Sequence, residues 1–514
     1  MRTAHGLALL LLAGTGAIYY GPYLSRLPSG IHAWAQGDRL ALALNFYDFG
    51  FDFWHPRTSS LASRGGVTGV EFPLPAYLAA LGGLVFGRDA ISALFRLLDI
   101  GLALTGFYYL FCLVYERTQH FLAALVPACF LLSSAVFAFY AGNYLPDPAS
   151  LSLSFVAYYY WLRFSDQRAF RDLAVSVVLL TLAALLKTTT ALHLAALLCF
   201  AFGWAFFVPE LLTFRQRLAL VGLGLVAVGS VGLFFLHNRQ LNSQYASSQF
   251  LASLRPVRDA EALRAVWLGI GQKWGAAYAT PLQYGLLAAG AGLLLVRAGP
   301  TLRRYPALTL LGLAGSVIGG VFGGLMGGQL VMHDYYAICS FMPPAVLGLL
   351  LALLHVGRAG RATTGRYWLS SAGLLLLCGV LLRDGYWQLR TRMQEQTCRW
   401  LHGAPARLAR AGVSRQALVL VVDEAPNTPL VYADRRGLTW NPPVGQLRVA
   451  DLVARMAAHG LEYALLPPGY YAGVAGQSAS LAAAFIPVQT EPFVVLRRRP
   501  AARPPVAGPP PLQP

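Results

Sequence analysis

"DLAVSVVLLTLAALLKTTTALHLAALLCFAFGWAFFV", residues 172–208, is apolar from end to end except around Lys187-Thr188-Thr189-Thr190. As one helix rising about 1.5 Å per residue it would be roughly 55 Å long. A bilayer's hydrocarbon core is only about 30 Å thick. The stretch therefore reads as two spans with a turn at Lys187–Thr190. That reading sets the sidedness of everything after it, because merging the two halves would move every later connector to the opposite face.

Further apolar runs of spanning length fall near 7–25, 93–114, 121–140, 147–163, 217–236, 281–297, 305–326, 337–355 and 367–383. With 172–187 and 190–208 this makes about eleven transmembrane helices. Connectors on the side of the N-terminus hold Arg117, Arg163, Arg168, Arg171, Arg215, Arg217, Arg297, Arg303, Arg304, Arg358, Arg361 and Arg366. The short connectors on the other side, 141–146, 187–190 and 327–336, hold only Lys187. Cations concentrate in cytoplasmic loops, so the N-terminus is expected in the cytoplasm. The longer loops 26–92 and 237–280, and everything after residue 383, are expected outside. Ala33-Trp34-Ala35 lies too far beyond the first apolar run to read as a signal-peptide cleavage site.

Composition agrees. The chain is 56% hydrophobic and 12% charged, where soluble domains carry about 25% charged residues. The net charge of +18 lies in connectors and at the C-terminus rather than on one amphipathic surface, so nucleic acid is not an expected partner. The six cysteines show no CxxC or zinc-type spacing, and neither a disulfide framework nor a structural metal is expected.

The spans are expected to fill 1–383. Residues 384–499 read as an extracytoplasmic α/β domain that opens on a surface helix at 384–402. Strands are expected at 417–424, 430–437, 462–468 and 493–499, and an amphipathic helix at 449–460. The tail 500–514 is Pro-rich and expected to be disordered.

The unusual polar residues gather on the expected outer side. The stretch 34–58, "WAQGDRLALALNFYDFGFDFWHPRT", supplies Asp38, Arg39, Asp48, Asp52, His55 and Arg57, followed by Glu71. "GNYLPDP" supplies Asn143 and Asp147, the turn supplies Lys187, and "QLVMHDYY" supplies His333, Asp334, Tyr335 and Tyr336. Ionisable groups at a membrane boundary are costly and tend to be functional. Carboxylates can take a proton from a hydroxyl, cations can hold a phosphate, and aromatic rings suit sugar faces and headgroups. Blander roles compete at each position. Asp38 can cap a helix, Glu71 can complement a helix dipole, and Lys187 can snorkel as a topology marker. Asp48 and Asp52 read mainly as loop or interfacial carboxylates. Asp38, His55, Glu71 and His333 would suit a divalent ion by type, but no ligand spacing enforces one. There is no nucleotide-binding Gly-rich motif, so a substrate must arrive already activated.

W-x-Q-x-D at 34–38, "GVTGVEFPLPAYLAALGGLVFG" (66–87), "FRLLDIG" (95–101), "LPDPASLSLSFVAYYYWLRF" (145–164), "LAALLKTTTALHL" (182–194) and "MHDYYAICSFMPPAVLGLL" (332–350) together resemble GT-C membrane glycosyltransferases. The similarity is to the bacterial family 39-type branch, related to protein O-mannosyltransferases and the lipid A aminoarabinose transferase. It extends over nearly all of the membrane part, and "DRRGLTW" (434–440) resembles a piece of the outer domain of some members. The resemblance implies a polyprenyl-phosphate sugar donor, chemistry outside the cytoplasm at the bacterial inner membrane, and an inverting single displacement with no required cofactor. It matches Asp38 to the family's catalytic base. Many relatives have Asp-Glu where this chain has Asp38-Arg39, and Glu-Lys-Pro-Pro where it has Glu71-Phe72-Pro73-Leu74. The absent Lys shifts donor-phosphate binding to Arg57, Lys187 and His333. Glu71, Asp147, Asp334 and Tyr335 are expected to line the substrate. The acceptor is expected to be a lipid-linked glycan, an envelope polymer or a protein. A secondary transporter or lipid flippase is the main alternative, and it would place polar groups near the bilayer midplane on broken, repeated helices. A non-enzymatic assembly or sensor protein is a third reading, in which the outer domain does the work.

Overall fold

The computed structural model describes residues 2–208, 210–250, 254–360 and 363–500. The expected disordered tail lies outside these residues apart from Pro500. The chain divides into two compact units. The first comprises residues 1–57 and 67–397, and the second 58–66 and 398–514.

The first unit is helical. Its helices are α1 (Arg2–Tyr20), α2 (Ala33–Phe49), α3 (Leu74–Phe86), α4 (Ile91–Thr118), α5 (Phe121–Ser133), α6 (Ala135–Tyr140), α7 (Pro146–Gln167), α8 (Phe170–Leu186) and α9 (Ala191–Phe207). They continue as α10 (Phe214–Gln244), α11 (Ala260–Tyr278), α12 (Pro281–Val296), α13 (Ala298–Arg304), α14 (Pro306–Met326), α15 (Gly328–Met332), α16 (Tyr336–Ser340), α17 (Met342–Gly360) and α18 (Thr364–Gln394).

The stretch 172–208 breaks where its polar residues sit. Lys187 is extended (φ −143°, ψ 112°) and Thr188–Thr190 form one 3-10 turn between α8 and α9. Among the described residues, seven helices are long and apolar enough to cross a membrane, or up to eight if α11 and α12, bent by 102°, make one broken span. The protein is thus a polytopic membrane protein, and several of the eleven expected spans fold as helices that fall short of this measure of length and apolarity. The run 121–140 is cut at Ser134, whose backbone is extended and whose hydroxyl accepts from the Phe137 N–H to cap α6. The run 172–187 makes a helix of only 17 residues. The run 147–163 folds as α7, where Asp147, several Ser and Arg163 dilute the apolar surface. The loop 237–280 contains the whole of α11.

Close backbone packing holds the bundle. A Cβ on Gly106 of α4 would lie 2.7 Å from Ser152 Cβ of α7, and one on Gly385 of α18 would lie 2.1 Å from the Leu132 carbonyl oxygen of α5. Small residues at such crossings let helices approach without the hydrophobic drive that water supplies. Leu295 and Leu369 are each more than three-quarters exposed, as lipid-facing side chains would be.

The second unit is built on a five-stranded sheet: β1 (Leu418–Val422), β2 (Arg436–Trp440), β3 (Tyr463–Leu466), β4 (Phe485–Gln489) and β5 (Val494–Arg498), in the order β2-β1-β3-β5-β4. Strands β1, β2 and β3 are parallel, while β5 runs antiparallel to β3 and β4. The strand expected at 430–437 begins instead as a helix, Thr428–Ala433, with Pro429 in its first turn, and pairs only from Arg436. The expected surface helix at 384–402 is the end of α18, followed by a 3-10 turn at Arg399–Leu401. Residues 58–61 join this unit as a short extra edge. The Leu61 N–H donates to Gly437 O at 2.7 Å, the Gly437 N–H to Ser59 O at 3.1 Å, and the Ser60 N–H to Asn427 Oδ1 at 2.8 Å.

Candidate active site

The loop 26–92 contributes two helices to the first unit. Helix α2 ends at Gly50, whose left-handed backbone (φ 98°) returns its N–H to the Phe46 carbonyl, a turn that glycine adopts without strain. Helix α3 starts at a proline-flanked Leu74, leaving Glu71 just ahead of it. Helix α7 opens with Pro146, where a missing N–H costs nothing, and carries Asp147 in its first turn.

These helix ends converge. Glu71 accepts from the Arg39 guanidinium and, at Oε1, from Lys187 Nζ at 2.8 Å. Lys187 Nζ also lies 3.2 Å from Asp147 Oδ2. Its ammonium sits over the rings of Tyr335 (5.3 Å) and Tyr336 (5.4 Å), close enough for cation–π attraction. Asp38 is buried, with Oδ2 3.9 Å from Arg39 Nη1. Burial alone would raise the Glu71 carboxyl, but Arg39 and Lys187 together hold it well below the usual carboxylate range. Burial opposes the Lys187 charge too, and Asp147 and Glu71 outweigh it, keeping the ammonium protonated.

Beside this cluster lies a cavity lined by Arg39, Leu42, Val70, Glu71, Phe95 and Phe250, among other residues. Its polar end is formed by Arg39 and Glu71, and the Arg39 guanidinium stacks over Phe250 at 5.0 Å.

Asp334 belongs to a neighbouring knot. It is fully buried, accepting from Tyr140 Oη at 2.7 Å and Arg392 Nη1 at 3.1 Å, with His32 Nε2 at 3.5 Å. His333 packs against His32, Tyr335 and Tyr336. Burial, then the nearby His32 and Lys187 charges, push its imidazole down to about 4. At neutral pH it is an uncharged hydrogen-bonding group.

The structure therefore brings together Glu71, Asp147, Lys187 and Tyr335, with His333 and Asp334 adjoining, and Asp38 reaches the cluster through its neighbour Arg39. It does not bring in Arg57, which sits over Phe49 at the far end of α2 (6.0 Å), roughly 16 Å along the helix axis from Asp38. Asp48 is clamped by Arg88 through two bonds of 2.8 Å. Asp52 caps its own turn and pairs with His55 at 2.9 Å. Asn143 accepts from the buried Arg96, which also donates to the carbonyls of Gly142 and Arg26 and so fixes the turn leading to Asp147. The sequence reading placed Arg39 and Tyr336 among the outer polar residues without giving them a role, and it missed His32 and Arg392. The one available signal was Arg39 itself, a cation standing beside Asp38. Among the described residues no group of three or more His, Cys, Asp or Glu is arranged to hold a metal.

The architecture is the GT-C fold, as the resemblance in the sequence implied. The crystal structure of ArnT from Cupriavidus metallidurans in the apo state matches it with a TM-score of 0.60 at 13% identity, over 96% of this chain and 98% of that one. The same ArnT bound to undecaprenyl phosphate gives a TM-score of 0.45 at 12% identity over the same shares. The family model of dolichyl-phosphate-mannose-protein mannosyltransferase matches residues 70–234. That span includes Glu71, Asp147 and Lys187, and leaves Asp38 and His333–Tyr335 outside. No curated protein sequence matches the chain.

Proposed function

We propose that this protein transfers a sugar from a polyprenyl-phosphate donor to an acceptor hydroxyl at the outer face of a bacterial inner membrane, with inversion at the anomeric carbon. One observation carries this reading: Asp38 and Arg39, Glu71, Asp147, Lys187 and Tyr335–Tyr336 come from five separate segments and meet beside an apolar cavity. Apolar lining beside charged groups is the pairing that a lipid with an anionic head calls for.

Asp38 takes the acceptor proton. Arg39 and Lys187 face the leaving phosphate, where negative charge grows as the sugar departs, and neutral His333 offers a hydrogen bond. Arg39 takes the part expected of Arg57. The reading needs no metal, because these two cations already occupy the carboxylates that a divalent ion would require. A transport mechanism would place the ion pairs midway along broken helices, whereas Glu71 and Lys187 lie in connectors. The cationic connectors on the N-terminal side support a cytoplasmic N-terminus, with the α/β unit outside.

The test is release of undecaprenyl phosphate from undecaprenyl-phosphate mannose or aminoarabinose by the purified chain in vesicles. Acceptor-dependent release supports the reading. Movement of intact donor across the vesicle without release would overturn it.

A further inference from the structure

An aromatic wall extends from Lys187 towards the N-terminal end of α2. Tyr335 touches His32, with ring centroids 5.4 Å apart, and His32 in turn meets His333 at 5.6 Å and Trp34 at 6.2 Å. Trp34 also meets His333 at 5.9 Å and keeps 37% of its surface exposed. Trp34 and Asp38 are four residues apart on α2, which puts them on one face with their Cβ atoms roughly 6 Å apart. A ring lying on Trp34 thus lies one helical turn from the carboxylate.

The wall is polar at its edges without being charged. His333 Nδ1 is buried with no hydrogen-bond partner among the described residues, and such a group calls for a partner. Burial lowers both His32 and His333 from their ordinary values, so at neutral pH both are uncharged donors and acceptors. The cations nearby are matched: Arg39 to Glu71, Lys187 to Glu71 and Asp147, and Arg392 to Asp334. Lys273 packs over Trp274 at 4.7 Å, at the rim beyond His32. A second phosphate brought beside the donor phosphate would face Glu71, Asp147 and Asp334, with Lys273 at the rim left to answer it.

We infer that the acceptor is a pyranose of a glycan, stacked on Trp34 and His333 and presenting a neutral hydroxyl to Asp38, rather than a phosphate or a peptide. This rests on the polyprenyl-phosphate reading and names its acceptor class. The acceptor oxygen forms the new bond to the anomeric carbon as the bond from that carbon to the phosphate oxygen breaks. The bonding pair leaves with the phosphate, and the hydroxyl proton passes to Asp38 and then to water.

The experiment offers the full chain in vesicles an undecaprenyl-phosphate sugar with label in the sugar. It is given, separately, a lipid-linked neutral oligosaccharide, a Ser/Thr-rich peptide and a diphosphorylated lipid A. Transfer to the oligosaccharide as a glycoside that survives mild acid is expected. Trp34→Ala should raise the oligosaccharide KM about tenfold, the scale of one lost aromatic contact, with kcat changed less than about twofold. Trp34→Phe should recover most of the loss. Unchanged binding of undecaprenyl phosphate by each variant shows that it is folded. Label in an acid-labile glycosyl phosphate, label on the peptide, or an oligosaccharide KM that Trp34→Ala leaves alone would each overturn the inference. Failure of the wild type to bind undecaprenyl phosphate at all would instead overturn the donor reading, and the acceptor inference with it.

Discussion

Lys187 Nζ lies 2.8 Å from Glu71 Oε1, although 116 positions separate the two residues. The break between α8 and α9 delivers the ammonium, and the loop ahead of α3 delivers the carboxylate. Lys187 is thereby sealed between Glu71 and Asp147, under two tyrosine rings. It is a structural ion as well as the donor contact proposed above.

Lys187→Met should therefore destabilise the protein as well as weaken donor binding. Removing one partner of a buried ion pair typically costs about 3–5 kcal/mol, because the other charge is left unmatched. Adding Asp147→Asn should recover part of that loss. Thermal unfolding in detergent for the two variants checks this, and equal midpoints for wild type and Lys187→Met would contradict it.

Asp38→Asn should lower the transfer rate by about 10²–10⁴, the usual share of a positioned base, with little change in unfolding midpoint. Asp48→Asn should leave turnover near normal, because Asp48 serves Arg88. Its partly exposed pair is worth about 1 kcal/mol or less. The two variants compared in one transfer assay decide which carboxylate does chemistry.

His333 should contribute a loss of stability as pH drops from about 6.5 towards about 4, read as the difference between wild type and His333→Gln. His333 is held near 4 in the fold against an ordinary 6.5. In that window the unfolded chain binds a proton that the folded chain refuses, and the linkage favours unfolding as pH falls. His32 is displaced in the same direction. Unfolding midpoints measured across this range should flatten in His333→Gln.

Arg39→Ala should weaken undecaprenyl phosphate binding, and Arg57→Ala should not. Arg39 stands at the polar end of the cavity, whereas Arg57 is a helix length away. Binding measured by displacement of labelled lipid would distinguish them, and the reverse order would return the role to Arg57.

Much of this was legible along the chain, and the limits have physical causes. The break at Lys187–Thr190 could be read because four polar residues interrupt a run too long for one span. Asp38, Glu71, Asp147 and Lys187 could be nominated because charge is scarce in this composition. Nothing in the sequence says how far a helix carries a residue, so Arg57 and Arg39 looked alike until α2 placed them at opposite ends. Counting apolar residues also overlooks breaks, since Ser134 cuts a helix through its backbone conformation rather than its hydropathy. The extra edge at 58–61 could not be read at all, because its pairing partner is Gly437.

That edge has a consequence for how the molecule is made. Residues 58–66 belong to the second unit, yet both their flanks belong to the first, and Arg57 and Val67 pair across the neck. At about 5–20 residues per second, synthesis leaves this segment waiting roughly 20–75 s for Gly437, with which it pairs. The helix bearing Asp38 and the loop bearing Glu71 are made early, on either side of a strand whose sheet does not yet exist. Stopping the chain before residue 398 would thus do more than delete a domain. It would leave an unpaired strand between the two carboxylates, so the last part of the protein to be made completes the fold of one of the first.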